Sequence, residues 1–590
     1  MNMMRRLFSF YAAIILLLFT LSVGGTHAAA IEQWKLRTAD LSSIAYGNGI
    51  YIAVGSSGYL LRSTDGASWT TVEAGITNSL NDIVYGGGLF VAVGGGLVMT
   101  SANGLDWTSN SDSPAKYAIS LVYGDGLFMA VDSSGSVHVA PDAINWRTHT
   151  TGSSTGLMDI AYGEGTFVVI GYSGTVLSST SSGVTWSPQA SGTTASLWGI
   201  TYGNSQFVAV GESDVILTSP EGTTWTPHLS GLSITLMDIV YGDGLYVAIG
   251  GTSSTDAGNI YTSANATTWF EQTSPTRNFT YRVIYGGGAY LIVGGPILRS
   301  TNAMDWSIAH GGTTGTFFAS AAGEGTMVAV AEGILMTSKE GSRWTIRRDD
   351  PGWYFGAGYG NGTFVVAGTG GAVLTSPDGV VWTSRSSGTS TGLWSVSYGN
   401  GTFVAGGYSG LIIRSPDNGE NWYGAATGTA STIYAIAYGN GIFVAVGDGG
   451  TVLTSSDGAA WSPPLSISVD ELRGVVYTGS RFIAVDGNGK VFASDTGDSW
   501  TQTADLANWI YGLAYGRGTL LASGASGTIM TSADAINWDS HYTGSYAWFY
   551  AAGFAFDSFF VLGTDGTIFQ SVSPFPWPMF LPAIQHQNQQ

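Results

Sequence analysis

The 590-residue sequence contains no cysteine. That excludes disulfides, thiolate metal sites and a lipid anchor on cysteine. If the chain is exported, its stability has to come from packing rather than cross-links. Basic residues are scarce, with 20 Lys and Arg against 40 Asp and Glu. This acidic balance argues against nucleic acid and anionic membrane surfaces as partners. Histidine is sparse and dispersed (His27, His138, His149, His228, His310, His541 and His586), and no pair has the spacing of metal ligands. There is no phosphate loop and no nucleophile elbow. Asp486, Asn488 and Lys490 lie in a short loop that lacks the rest of a calcium-binding pattern and reads as a turn. No cofactor, no metal site and no catalytic residue is implied. Beyond the N-terminus no apolar run is long enough to span a bilayer.

Residues 1–30 read as a signal peptide. Arg5 and Arg6 form the basic start, 11–21 the apolar stretch, and Ala28, Ala29 and Ala30 the small residues for cleavage. The expected location is secreted, cell-surface or periplasmic, with no membrane insertion after signal cleavage. Glycine is abundant, at 87 residues, without a triplet period, and aromatics make up 13%. Few charges, many aromatics and much glycine suit short strands joined by tight turns.

Fourteen tryptophans recur at near-constant spacing: Trp34, Trp69, Trp107, Trp146, Trp186, Trp225, Trp269, Trp306, Trp344, Trp382, Trp422, Trp461, Trp500 and Trp538. A period of about 40 residues signals one repeated supersecondary unit. A Tyr-Gly step recurs with it, for example at Tyr46, Tyr85, Tyr398 and Tyr438, and is altered at Ala322-Gly323, Tyr477-Thr478 and Phe554-Ala555. Each unit reads as four antiparallel strands. Strand A ends at the Tyr-Gly, a glycine-rich turn leads to strand B, a loop to strand C, and a Ser-x-Asp turn to strand D, which opens with the tryptophan.

That last turn resembles the Asp-box of bacterial neuraminidase (BNR) repeats. Ser415, Asp417, Gly419 and Trp422 keep the full spacing, and most copies, such as Ser63, Asp65 and Trp69, are one residue shorter. The repeats are similar to those of photosystem II assembly-factor-type and sialidase-type propellers, over roughly residues 31–572. The resemblance implies an all-β fold of four-stranded blades. It does not extend to a sialidase active site, because the arginine triad and its Tyr/Glu pair have no counterpart here. The turn acids are expected to close hairpins rather than to catalyse.

Propellers typically carry four to eight blades, so fourteen four-stranded repeats predict two tandem seven-bladed β-propellers. The division expected is 31–303 for the first propeller and 304–572 for the second, followed by a proline-rich tail at 573–590. The mature N-terminus looks like a lone D strand at Trp34, and 549–571 looks like A, B and C without a D. The simplest closure lets each ring close on itself. Trp34 then completes the blade at 281–300, and the Trp306 strand completes the blade at 549–571. The rival pairs Trp34 directly with 549–571.

Six tryptophans fall outside the ladder: Trp198, Trp353, Trp394, Trp509, Trp548 and Trp577. Four residues before each Tyr-Gly tyrosine, or its replacement, the first seven units carry Ser42, Asn81, Ile119, Met158, Trp198, Met237 and Tyr281. The last seven carry Phe318, Phe355, Trp394, Tyr434, Arg473, Tyr511 and Tyr550. Aromatics therefore crowd the second ring at this register. Since strand A is innermost in a propeller, they are expected at the mouth of its channel. Together with Trp353, Trp509 and Trp548 they form the candidate ligand-binding set. Aromatic faces near acids suit sugar rings or a peptide. The alternative is that they pack between blades as core. The expected function is a non-catalytic propeller holding a glycan or an extracellular protein. The runner-up is a polysaccharide-active glycoside hydrolase or lyase using acids on the same face, such as Asp349, Asp350, Asp470 and Glu471.

Overall fold

The computed structural model describes residues 34–251 and 258–572. The segments expected to be a signal peptide (1–30) and a proline-rich tail (573–590) lie outside the described residues. Within them the fold is all-β, with short 3-10 turns and no α-helix. No helix there is long and apolar enough to cross a membrane. Twelve antiparallel sheets have four strands and one has six. The six-stranded sheet arises because Thr345–Gly360 runs without a break from the last strand of one blade into the first strand of the next, while Thr326–Ser338 likewise spans the second and third strands of the former. Blades are numbered here by their A strands, from Leu41–Gly47 (blade 1) to Phe549–Ala555 (blade 14).

The Tyr-Gly step has a packing cause. A Cβ on Gly47 would fall inside the ring of Tyr85, the corresponding tyrosine of the next blade. The same holds for Gly86 under Tyr123, Gly124 under Tyr162 and Gly399 under Tyr438. Each glycine is thus a seat for the next blade's tyrosine. Gly286 of blade 7 seats Tyr46 of blade 1, so the first seven blades close into a ring. Blade 14 has Ala555 at the seat, and the blade that follows it around the second ring carries Ala322 in place of the tyrosine.

The core is divided among the blade junctions instead of filling one centre. Leu41, Tyr51, Leu61 and Trp69 of blade 1 pack against Ala289, Leu291 and Val293 of blade 7. Phe317, Met327 and Trp344 of blade 8 pack against Phe560 and Leu562 of blade 14. These two junctions close two rings of seven. The Ser-x-Asp turns hold the outer hairpins. Asp65 accepts from the amides of Ala67 and Ser68 at 2.8 and 2.7 Å, and the Trp69 indole donates to the Gly66 carbonyl at 3.2 Å. Those backbone amides hold Asp65 down at about 2, so it is an ionised turn acceptor.

Strand pairing overturns the expected closure. Trp34–Thr38 pairs with Ile568–Ser571, with Trp34 opposite Ser571 and Leu36 opposite Phe569. Ser307–His310 pairs with Ile297–Ser300 of its own blade. A cut at 303/304 would therefore sever a hairpin whose turn is intact: Asn302 accepts from the amides of Met304 and Asp305, both at 2.9 Å. The local hairpin wins because closing a few residues costs far less chain entropy than recruiting a distant strand. The rival arrangement is the one found. From Trp34 the described chain contributes a strand to the second ring, completes the first ring, and returns.

The rings touch through D–A and B–C loops on one side. The Asp40 amide donates to the Asp565 carbonyl at 2.9 Å, Ser57 and Ser545 hydroxyls lie 2.8 Å apart, and Thr276 and the Arg277 amide both donate to Asp349 at 2.7 Å.

Candidate binding site on the second ring

The residue four before the Tyr-Gly tyrosine has a specific backbone role. In twelve of the fourteen blades the A–B pairing skips it, as between Leu393 and Ser395 around Trp394 or between Ile433 and Ala435 around Tyr434. A β-bulge re-aims the side chain it releases from the ladder. The bulged residues of successive blades thereby meet near the ring axis.

In the second ring they form a collar. Phe318 lies 5.1 Å from Phe355, which stacks on Trp394 at 4.2 Å and 17°. Trp394 meets Tyr434 edge-on at 5.6 Å, and the Arg473 guanidinium sits 4.2 Å over the Tyr434 ring. Tyr511 lies 4.8 Å from Tyr550, and Tyr550 returns to Phe318 at 5.9 Å. Arg473 lies between the two arcs. It is bonded to Glu471 at 3.0 Å, and both charges act on the Tyr511 hydroxyl. Burial, with Asp448 adding to it, pushes Tyr434 up to about 12, so its hydroxyl stays a neutral donor and acceptor.

The other three residues of the set stand on the rim. Trp353 stacks over Phe318 at 6.2 Å, Trp548 over Tyr511 at 6.2 Å, and Trp509 meets Trp548 edge-on at 5.9 Å. Trp353, Trp548 and Trp509 are 40, 36 and 55% exposed. Phe355 is only 5% exposed and is sandwiched by its neighbours, so it supports the collar instead of offering a face. The packing alternative thus describes Phe355, whereas the rim tryptophans present uncovered indole.

The acids of the same face are already engaged. Asp349 takes part in the inter-ring contact, and burial raises its pKa above the usual carboxylate range. Asp350 accepts from Arg348 at 2.6 Å and from the Tyr354 hydroxyl, which together outweigh its burial and leave it below that range. Asp470 is paired with Lys490 at 3.1 Å. The Asp486 loop is a turn in which the carboxylate accepts from the Asn488 and Lys490 amides at 3.1 and 2.9 Å.

The first ring has no such collar: at the same register only Trp198 and Tyr281 are aromatic. Its axis is instead polar. Arg282 reaches Asp82, Asp159 and Asp238. These four residues were invisible to a search for acids adjacent in sequence. They stand three residues before the tyrosine in four different repeats, and aligning the repeats at that register would have found them.

No family profile matches the sequence, and no curated protein does. Solved structures do match. An ancestral GH74 enzyme superposes with a TM-score of 0.65 at 12% identity, covering 94% of this chain and 99% of that one. The GH74 enzyme of Niastella koreensis gives 0.58 at 13% identity, covering 92% and 99%. PorZ, a bacterial surface component of the type-IX secretion system of Porphyromonas gingivalis, gives 0.62 at 11% identity, covering 91% and 86%. At such identities the likeness speaks for the fold, and by that fold the chain is a β-propeller repeat protein.

Proposed function

We propose that this protein is a non-catalytic propeller acting outside the cytoplasm, secreted or held at the cell surface or in the periplasm, and that it binds a glycan or protein partner on the loop face of the second ring. The observation that carries this reading is the aromatic collar with three exposed tryptophans on its rim. A rigid aromatic platform offers apolar area at little cost in side-chain entropy, and its tilted and stacked rings suit the faces of sugars or of apolar side chains. The N-terminal segment supports export. The engagement of Asp349, Asp350, Asp470 and Glu471 in ion pairs and loop contacts favours binding over hydrolysis, because a general acid or base has to be free to exchange a proton with substrate.

The test is a binding survey of the purified mature chain against a glycan array and against extracellular proteins, repeated with Trp353→Ala, Trp509→Ala and Trp548→Ala combined. Truncating central aromatics of an interface typically costs about 2 kcal/mol or more, roughly thirtyfold in affinity. Binding that survives the triple change undiminished would refute the site. Release of reducing ends from a polysaccharide panel would refute the non-catalytic reading.

A further inference from the structure

The two rings here close differently. The second ring is closed by a strand from the far end of the sequence, Trp34–Thr38 on Ile568–Ser571. In the first ring every blade is built from one continuous stretch of chain, from Leu41–Gly47 through Ser307–His310, so no strand is shared across the junction of blades 7 and 1.

The rings differ again three residues before the Tyr-Gly tyrosine. The second ring carries only small residues there: Ala319, Gly356, Ser395, Ala435, Gly474, Gly512 and Ala551. The first carries Ser43, Asp82, Ser120, Asp159, Gly199, Asp238 and Arg282. Arg282, on blade 7, places its guanidinium 2.8 Å from Asp82 of blade 2, 3.3 Å from Asp159 of blade 4 and 3.5 Å from Asp238 of blade 6. Only a point near the axis is that close to three blades spread around a seven-membered ring.

Each carboxylate also reaches sideways. Asp82 accepts from the Ser43 hydroxyl of blade 1 at 2.5 Å and from the Leu121 amide of blade 3 at 2.7 Å. Asp159 accepts from the Ser120 hydroxyl of blade 3 at 2.5 Å and the Ile200 amide of blade 5 at 2.9 Å. Asp238 accepts from the Val283 amide of blade 7 at 2.7 Å. All seven blades therefore contribute an atom to one network. The three carboxylates are almost wholly buried, which makes their pairing energetically consequential.

We propose that Asp82, Asp159 and Asp238 form a guanidinium receptor on the axis of the first ring, filled in cis by Arg282, and that this hub takes the place of the strand closure the first ring lacks. A planar guanidinium spreads five donors over two terminal nitrogens and one Nε, so it reaches carboxylates set apart around the axis better than the three donors of a single ammonium nitrogen. The hub also occupies the axis, so the first ring is closed and filled where the second ring carries its aromatic collar.

The experiment uses the full chain and compares hydrogen exchange in the first-ring strands Leu41–Gly47 and Thr280–Gly286 with the second-ring strands Leu393–Gly399 and Ile510–Gly516. Arg282→Ala is expected to lower the melting of the first ring by roughly 10 °C, the consequence of leaving buried carboxylates unpaired. Added methylguanidinium, at tens of millimolar (about 10–50 mM), should refill the receptor by mass action, restore protection in that variant and leave the parent chain unchanged. Arg282→Lys should recover only part of it. First-ring protection unaltered by Arg282→Ala would overturn the proposal, as would a response to methylguanidinium equal in parent and variant. If Arg282→Ala does not fold, Asp82→Asn removes the shortest pair and keeps the side-chain shape. It should lower first-ring protection selectively, and no selective loss would equally overturn the hub.

Discussion

Replacing Trp34 by alanine should loosen the second ring while sparing the first, although Trp34 precedes blade 1 by only seven residues and blade 14 by more than five hundred. Trp34 is 4% exposed and packs with Leu521, Ile529, Phe549 and Phe569 at the junction of blades 13 and 14. Truncating a buried tryptophan to alanine costs about 3–5 kcal/mol in lost transfer energy and residual cavity. At 1.4 kcal/mol per decade, that is a rise of roughly a hundred- to a few thousandfold in the opening of whatever unit the side chain closes. Hydrogen exchange followed by mass spectrometry of peptides covering 510–532 and 549–571 should show that rise. Peptides covering 41–63 and 281–300 should keep their protection until the second ring has opened. The pattern matters more than the size, because packing loss and strand loss both fall on the same blade. Loss of protection at 281–300 with 549–571 intact would refute the reasoning, since it would return the N-terminal strand to the first ring.

Two other outcomes follow from named contacts. Asp238 is raised to about 7, chiefly by burial, with Arg282 opposing and Asp159 adding. Its folded pKa lies above its unfolded one, so its contribution to stability is complete below about pH 4 and is lost as pH rises toward 7. The first-ring melting temperature of Asp238→Asn, relative to the parent, should therefore climb between pH 4 and 7, and a difference constant across that window would contradict the assignment. Gly399→Ala should destabilise by about 1–3 kcal/mol, because its Cβ has no room under the Tyr438 ring. A double-mutant cycle in chemical denaturation should show Gly399→Ala costing less in a Tyr438→Ala background, and strict additivity would mean the seat is not what requires glycine there.

Much of the second-ring collar was legible before the fold was known, because its signal is a register. Counting back four residues from the Tyr-Gly tyrosine collects Phe318, Phe355, Trp394, Tyr434, Arg473, Tyr511 and Tyr550, and the structure assembles those seven around one axis. The register was informative because a β-bulge recurs at it, and the bulge turns a one-dimensional alignment into a spatial ring. The same count could not say which faces are free. Phe355 and Trp353 are both aromatic and only two residues apart, yet one is buried and the other exposed. That depends on whether the neighbouring blade's ring lies over them. The polar hub of the first ring was equally available one register further on. It went unseen because its charges are shared out singly among repeats, and a buried ion pair of that kind exists only once the A strands converge.

Sequence alone determined the blade and its number. Fourteen tryptophans, the Tyr-Gly seats and the Ser-x-Asp turns each act within a span of about 40 residues, where contiguous chain dictates hairpins and turns directly. Tertiary structure decided how the rings close. The final blade could accept its fourth strand from either of two tryptophan-led segments of similar pattern. The choice went to Trp34–Thr38 because the Trp306 segment was already held in its own hairpin by a short, fully bonded turn. A periodic sequence makes its strands nearly interchangeable as partners, so loop entropy and the geometry of the closed ring, rather than strand pattern, select among them.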